Sequence, residues 1–230
     1  MARTLFIVGY GPGISRAVAE RFGKEGFAVA ISARNAARLA EAAKALEAKG
    51  IAAHAFPADA GNPASVRAVI AAVRQRFGPL TVLHWNAIGG MEAGDVLEAG
   101  EEALSRLFDV AVRGLTLAVR EALADLKMSG EGAVLITNGA FGETGPPMDG
   151  IAVAMNAMGV GLANAAKHKL AGLLAEKLRG EGVFVGEVMV AGAVKGTPFE
   201  LDQGGLESAH IAEAFWRLYK DRGEIRARIA

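Results

Sequence analysis

Apolar positions along the chain switch repeatedly between short unbroken runs and stripes spaced three or four residues apart, and each switch marks an element. TLFIVG, Thr4 to Gly9, is an apolar run closed by glycine, and Ile14, Val18 and Phe22 follow at a spacing of four. That is a strand, a tight turn and a helix. The unit recurs in FAVAISA (Phe27 to Ala33) with a helix striped by Leu39, Ala43 and Leu46 that stops near Gly50. A third strand over Ile51 to Phe56 precedes Asn62-Pro63, a cap and N1 proline opening a helix whose inner face is Val66, Val69, Ile70, Val73 and Phe77. LTVLHWN (Leu80 to Asn86) predicts strand four. One long helix is expected from about Glu101 to Leu126, with Leu104, Leu107, Phe108, Ala111, Leu115 and Ala118 inward. GAVLITN (Gly132 to Asn138) predicts strand five, and a second long helix is expected from roughly Ile151 to Leu178. VFVGEVMV (Val183 to Val190) predicts strand six, Ile211, Phe215, Trp216 and Tyr219 a last helix, and Glu224 to Ile229 a seventh, edge strand.

Strands that are apolar throughout and alternate with helices belong to a parallel sheet covered on both faces. The expectation is a single α/β domain over residues 1–230, a doubly wound sheet of about seven strands with a nucleotide crevice at their carboxyl ends. Composition narrows the partners. The 25 basic and 25 acidic residues cancel, with no long run of either sign, which argues against nucleic acid. There is no cysteine, and His54, His84, His168 and His210 are scattered, so no metal centre is expected. No apolar stretch approaches the roughly 20 residues of a membrane span, and the cytoplasm is the simplest address.

The chemistry begins at VGYGPGIS. Gly9, Gly11 and Gly13 leave the first strand and open a helix, which lets backbone N–H groups and the positive helix end approach a pyrophosphate. The G-x-G-x-x-G spacing fails, because its last glycine would fall on Ile14. What fits is G-x-x-x-G-x-S, made by Gly9, Gly13 and Ser15, with Tyr10 inside the turn.

This turn resembles the T-G-x-x-x-G-x-G fingerprint of the short-chain dehydrogenase/reductase family, with Val8 and Ser15 as departures. WNAIG (Trp85 to Gly89) looks like the family's N-N-A-G and puts Asn86 and Ala87 beside the cofactor. Glu176 to Gly192 is similar to E-L-x-x-x-G-I-R-V-N-x-V-x-P-G, with Ala191 for the proline. The resemblance implies a Rossmann-like fold and a nicotinamide dinucleotide. It assigns Asp59, with Ala60, to the adenine, although such an aspartate also serves as a loop or cap residue, and it brings Thr137, Gly192 and Thr197 to the cofactor. Where an NAD-binding member carries an Asp after strand two, this chain has Ala33, then Arg34 and Arg38. An arginine there is either a solvated loop residue or a forked partner for a 2′-phosphate, and NADP(H) is expected over NAD(H).

The family's catalytic residues, an Asn, a Ser, a Tyr and a Lys, fall on Ala111, Asn138, Val160 and Asn164, so all four are replaced. The chain has two tyrosines, Tyr10 and Tyr219, and no shift of register supplies one in this helix; alignment from the loop side puts Ile151 and Met155 in the two places. Asn138 can polarise a carbonyl but cannot protonate it. Lys167 either shares the face of Asn164 or is a solvated or interface lysine, His168 shares that face, and Glu143 and Asn156 complete the polar candidates. Two functions stand open: an oxidoreductase with a substituted site acting on a carbonyl, enone or imine, and a non-catalytic dinucleotide-binding sensor or partner subunit. The segment 195–210 lies where the family keeps a substrate lid, with Phe199 and Leu201 either facing an apolar ligand or packing beneath the lid, and the resemblance implies a homodimer or homotetramer through the two long helices.

Overall fold

Apolar runs without polar alternation satisfy both faces only inside a covered sheet, and each expected run takes that place. A computed structural model describes residues 3–89, 91–197 and 204–230. Its strands are β1 (Thr4–Val8), β2 (Ala28–Ser32), β3 (Ala53–Ala55), β4 (Val82–Trp85), β5 (Ala133–Gly139), β6 (Phe184–Val190) and β7 (Arg226–Ile229). They form one sheet in the order β3-β2-β1-β4-β5-β6-β7, and every pair is parallel. The order reverses between β1 and β4, which is where such sheets open a crevice.

The helices are α1 (Ile14–Gly23), α2 (Ala36–Glu47), α3 (Pro63–Phe77), α4 (Glu101–Phe108), α5 (Leu115–Met128), α6 (Pro146–Ala154), α7 (Met158–Leu178) and α8 (Ser208–Asp221). Asn35 and Asn62 cap α2 and α3 by accepting the N–H groups of Arg38 and Ser65. One face of the sheet carries α1, α2 and α8, with Phe22 at the centre of an aromatic cluster. Its ring lies 5.3 Å from Phe27, 5.1 Å from Trp216 and 5.5 Å from Tyr219. The other face carries α3, α5 and α7. No described helix is long and apolar enough to cross a membrane.

Both long helices differ from expectation. The first is interrupted by a π-helical stretch, Asp109–Gly114, between α4 and α5. A π turn inserts a residue and rotates the face that follows relative to the one before. Phe108, expected inward, is exposed just before this stretch, while Val110 and Ala111 within it are buried. Gly114 lies so close to Ala60 that a Cβ could not fit against its carbonyl oxygen. The second helix breaks into α6 and α7 at residues 155–157, where Asn156 adopts a left-handed φ of 51°. The start of α7 is tied instead to the loop after β4, with Met158 N–H donating to Gly94 O and Gly159 N–H to Ala93 O, both at 2.9 Å.

Phe22 is fully buried, so Phe22→Ala is expected to lower unfolding stability by about 3–5 kcal/mol. Urea unfolding followed by circular dichroism measures this; a loss under about 1 kcal/mol would mean the cluster does not organise this face.

Candidate functional site

The crevice is made by three strand ends held together by a close backbone approach, two backbone bonds and one side-chain bond. Gly9 has φ +86°, and a Cβ there would collide with the Ala87 backbone; only glycine brings β1 this close to the segment after β4. Gly9 and Tyr10 N–H groups both donate to Ser32 O at 2.9 Å, which joins β1 to the end of β2. Asn86 Nδ2 donates to Gly9 O at 2.8 Å, which joins it to β4. Ser15, in place of the family's last glycine, is buried and pins the turn: it accepts the Gly11 N–H at 2.8 Å and donates to Gly11 O at 3.2 Å. α1 starts at Ile14, so its first-turn amides face out of the turn without intrahelical acceptors. Thr197 packs its methyl on Gly13 and donates its hydroxyl to Val194 O at 2.7 Å, and Gly192 sits beside Leu206. The lid residues Phe199 and Leu201 lie outside the described residues.

Across these strand ends lies a cavity of about 300 Å³. Tyr10, Ala33, Arg34, Asp59, Asn86 and Arg106 line it, with Ala60, Ala87, Ile88 and Val110 as apolar wall. The sequence thus brings Gly9, Tyr10, Arg34, Asp59, Ala60, Asn86 and Ala87 together. Arg38, one turn into α2, is exposed and outside the lining. Asp59 is already engaged. Arg106 from α4 holds it in a fork, Nη1 to Oδ2 at 2.9 Å and Nη2 to Oδ1 at 2.7 Å, and Gly61 N–H donates to Oδ1 at 2.9 Å. Those hydrogen bonds hold the carboxyl below its usual pKa, and the nearby positive charge of Arg34 adds to the effect. Arg106 was not anticipated, because it lies 47 residues from its partner and carries no motif.

At the end of β5 the polar side chains face inward rather than into a substrate space. Asn138 Nδ2 donates to Asn164 O at 2.9 Å and to Glu187 Oε1 at 2.6 Å, and its Oδ1 accepts the Gly139 N–H at 3.0 Å. Both amide hydrogens are therefore spent. Asn164 lies over Gly139, where a Cβ would stand 2.7 Å from Asn164 Nδ2. Ala111 is packed with Ala93, Leu107 and Ala163, and Val160 is half-buried at the start of α7.

Glu187 on β6, absent from the sequence reading, is the centre of this cluster. It is 1 % exposed, and its Oε2 accepts from Arg226 Nε at 3.1 Å and lies 2.8 Å from His168 Nδ1. Lys167, which the sequence left either sharing the Asn164 face or in solvent, is buried, with Nζ donating to Thr137 O at 3.1 Å. Burial drops its pKa from the ordinary 10.5 to about 8, against the upward pull of Glu187. On the opposite sheet face Thr137 Oγ1 meets His84 Nε2 at 2.9 Å, and complete burial lowers the His84 pKa to about 3. Glu143 is ion-paired with Arg228 at 2.7 Å. Among the described residues no cluster of three or more metal-ligating groups occurs.

Neither tyrosine is activated. Tyr10 lines the crevice, but burial and then Glu20 push its pKa up to about 12. Tyr219 is raised as well, mainly by burial, and belongs to the aromatic cluster under α8.

The family model for short chain dehydrogenase matches residues 3–198. A diacetyl reductase [(S)-acetoin forming] of Staphylococcus epidermidis is 31% identical over 137 residues, 59% of this chain and 52% of that enzyme. The chain thus spans about half the length of that curated relative. Among solved structures, a short-chain dehydrogenase from Sphingobium yanoikuyae in complex with NADPH superposes with TM-score 0.80 at 25% identity, covering 98% of this chain and 87% of that one. L-Sorbose reductase from Gluconobacter frateurii, complexed with NADPH and L-sorbose, superposes with TM-score 0.82 at 21% identity, covering 99% and 95%.

Lys167 binds its proton less tightly folded than unfolded. Between about pH 8 and 10.5 the unfolded chain therefore holds more protons, and this residue's contribution to stability rises with pH across that window. The expected result is that Lys167→Met flattens the rise in urea midpoint between pH 8 and 10; an unchanged slope would mean that Lys167 titrates normally.

Proposed function

The chain belongs to the short-chain dehydrogenase family, and from that membership we propose that it binds NADP(H) across the β1–β4 crevice and transfers hydride to or from a small carbonyl, enone or imine. The observation that carries the cofactor half is Arg34 in the cavity wall, directly after Ala33, with no carboxylate at the end of β2 to repel a 2′-phosphate. The Gly9 approach and the first-turn amides of α1 suit a pyrophosphate, and the NADPH complexes of the two structural relatives support the same cofactor. Bound there, the nicotinamide supplies the hydride.

The chain's own residues contribute less to the proton. With Tyr10 raised to about 12 and the Asn138 hydrogens committed to Asn164 and Glu187, the proton comes from water or from the substrate. Lacking a general acid costs roughly 10² to 10⁴ in rate, so a slow enzyme is the expectation. The same two facts favour a second reading, a dinucleotide-binding sensor or partner subunit without turnover. Assembly as a homodimer or homotetramer is part of the proposal, supported by the exposed Ile151, Val153, Met155, Leu162 and Leu173 along α6 and α7.

Calorimetric titration with NADPH and NADH tests the cofactor, and loss of nicotinamide absorbance over a panel of aldehydes, ketones, quinones and enones tests turnover. NADPH is expected to bind at least about tenfold more tightly, with Arg34→Ala abolishing the difference. Equal affinities would remove the NADP(H) preference. Binding with no oxidation across the panel selects the second reading, and no binding of either nucleotide rejects both.

A further inference from the structure

We infer that Arg106, rather than Asp59, is the residue on which the adenine ring of the bound nucleotide rests. This deepens the cofactor reading above and depends on it. The carboxylate of Asp59 faces the Arg106 fork and the Gly61 amide, so its first duty is to hold that guanidinium. The fork fixes the guanidinium plane and consumes two of its five N–H groups.

Two glycines make the room. A Cβ at Gly61 would stand 2.9 Å from Arg106 Nη1 and 3.1 Å from Cζ, and one at Gly89 would stand 3.1 Å from Arg106 O and 3.0 Å from Val110 Cβ. The Arg106 side chain is 31% exposed, and it lines the cavity beside Ala60 and Val110. A clamped, flat cation next to apolar wall suits a flat aromatic ring, because a planar guanidinium stacks face to face on a π system, whereas a compact ammonium offers only a point charge. Arg34 lines the same cavity near Asp59. The two arginines then divide the ligand, with Arg34 on the phosphate and Arg106 on the base.

The test compares 2′,5′-ADP, 5′-AMP and ribose 5-phosphate, which has no base, on the intact chain by calorimetry or NMR titration. Arg106→Lys keeps the charge and removes the planar face. It is expected to weaken 5′-AMP and 2′,5′-ADP by the same factor, about tenfold, and to leave ribose 5-phosphate unchanged. Asp59→Asn, which unclamps Arg106 without removing it, is expected to weaken 5′-AMP by a smaller factor and serves as the second variant if Arg106→Lys does not fold. Unchanged 5′-AMP affinity in Arg106→Lys overturns the inference. So does an equal loss for ribose 5-phosphate, which would make Arg106 a phosphate ligand, or a larger loss in Asp59→Asn than in Arg106→Lys, which would return the base to Asp59. If the unsubstituted protein binds neither NADPH nor any of the adenine nucleotides, the cofactor reading fails first and takes this inference with it.

Discussion

The crevice depends on one close approach. Gly9 lets the end of β1 lie against the backbone at Ala87, and the Ser32 carbonyl and Asn86 amide then lock the ends of β2, β1 and β4 into one rim. That rim positions the features at the mouth of the crevice. α1 leaves it with its amides outward, Arg34 follows from β2, and Asn86 follows from β4. The serine at position 15 does not loosen the turn, because its hydroxyl closes on Gly11 in both directions. A side chain can replace the family's third glycine here because it is used to brace the loop.

The other half of the site is organised around a buried charge. Glu187 gathers Asn138, His168 and Arg226, with Lys167 a short distance away on Thr137. Buried carboxylates persist only when paired and fully hydrogen-bonded, and this one is. The cluster ties β5, β6, β7 and α7 together. Polar groups at this end of the sheet thereby serve the fold, while in the crevice Arg34 and the Asp59–Arg106 pair line an open cavity.

The two interrupted helices follow the same economy of space. The π-helical stretch lets Gly114 press against the Ala60 carbonyl while Val110 still reaches the crevice wall. The left-handed Asn156 ends α6 and frees the Met158 and Gly159 amides to bond the loop after β4. Both deviations occur beside the crevice, and both trade regular helix hydrogen bonding for a contact with a loop that borders it.

What the sequence determined by itself was set by local and periodic physics. Apolar runs of strand length, stripes at helical spacing, the Asn62-Pro63 cap and the glycine turn were enough for about seven parallel strands with helices on both faces, and the family followed from the resemblance of the glycine turn, WNAIG and Glu176 to Gly192. That neither of the two tyrosines, Tyr10 and Tyr219, lies in α7 was equally legible. Tertiary structure alone decided which polar residues face each other. Asp59 and Arg106 lie 47 residues apart, and Asn138 and Glu187 49; neither pair leaves a periodic trace, because a long-range polar contact is chosen by packing in three dimensions. The helix breaks were hidden for a related reason: Phe108 and Ile151 fit the helical pattern, and the gain that outweighs continuity comes from Ala60, Ala93 and Gly94, residues distant in sequence that only the folded chain brings to them.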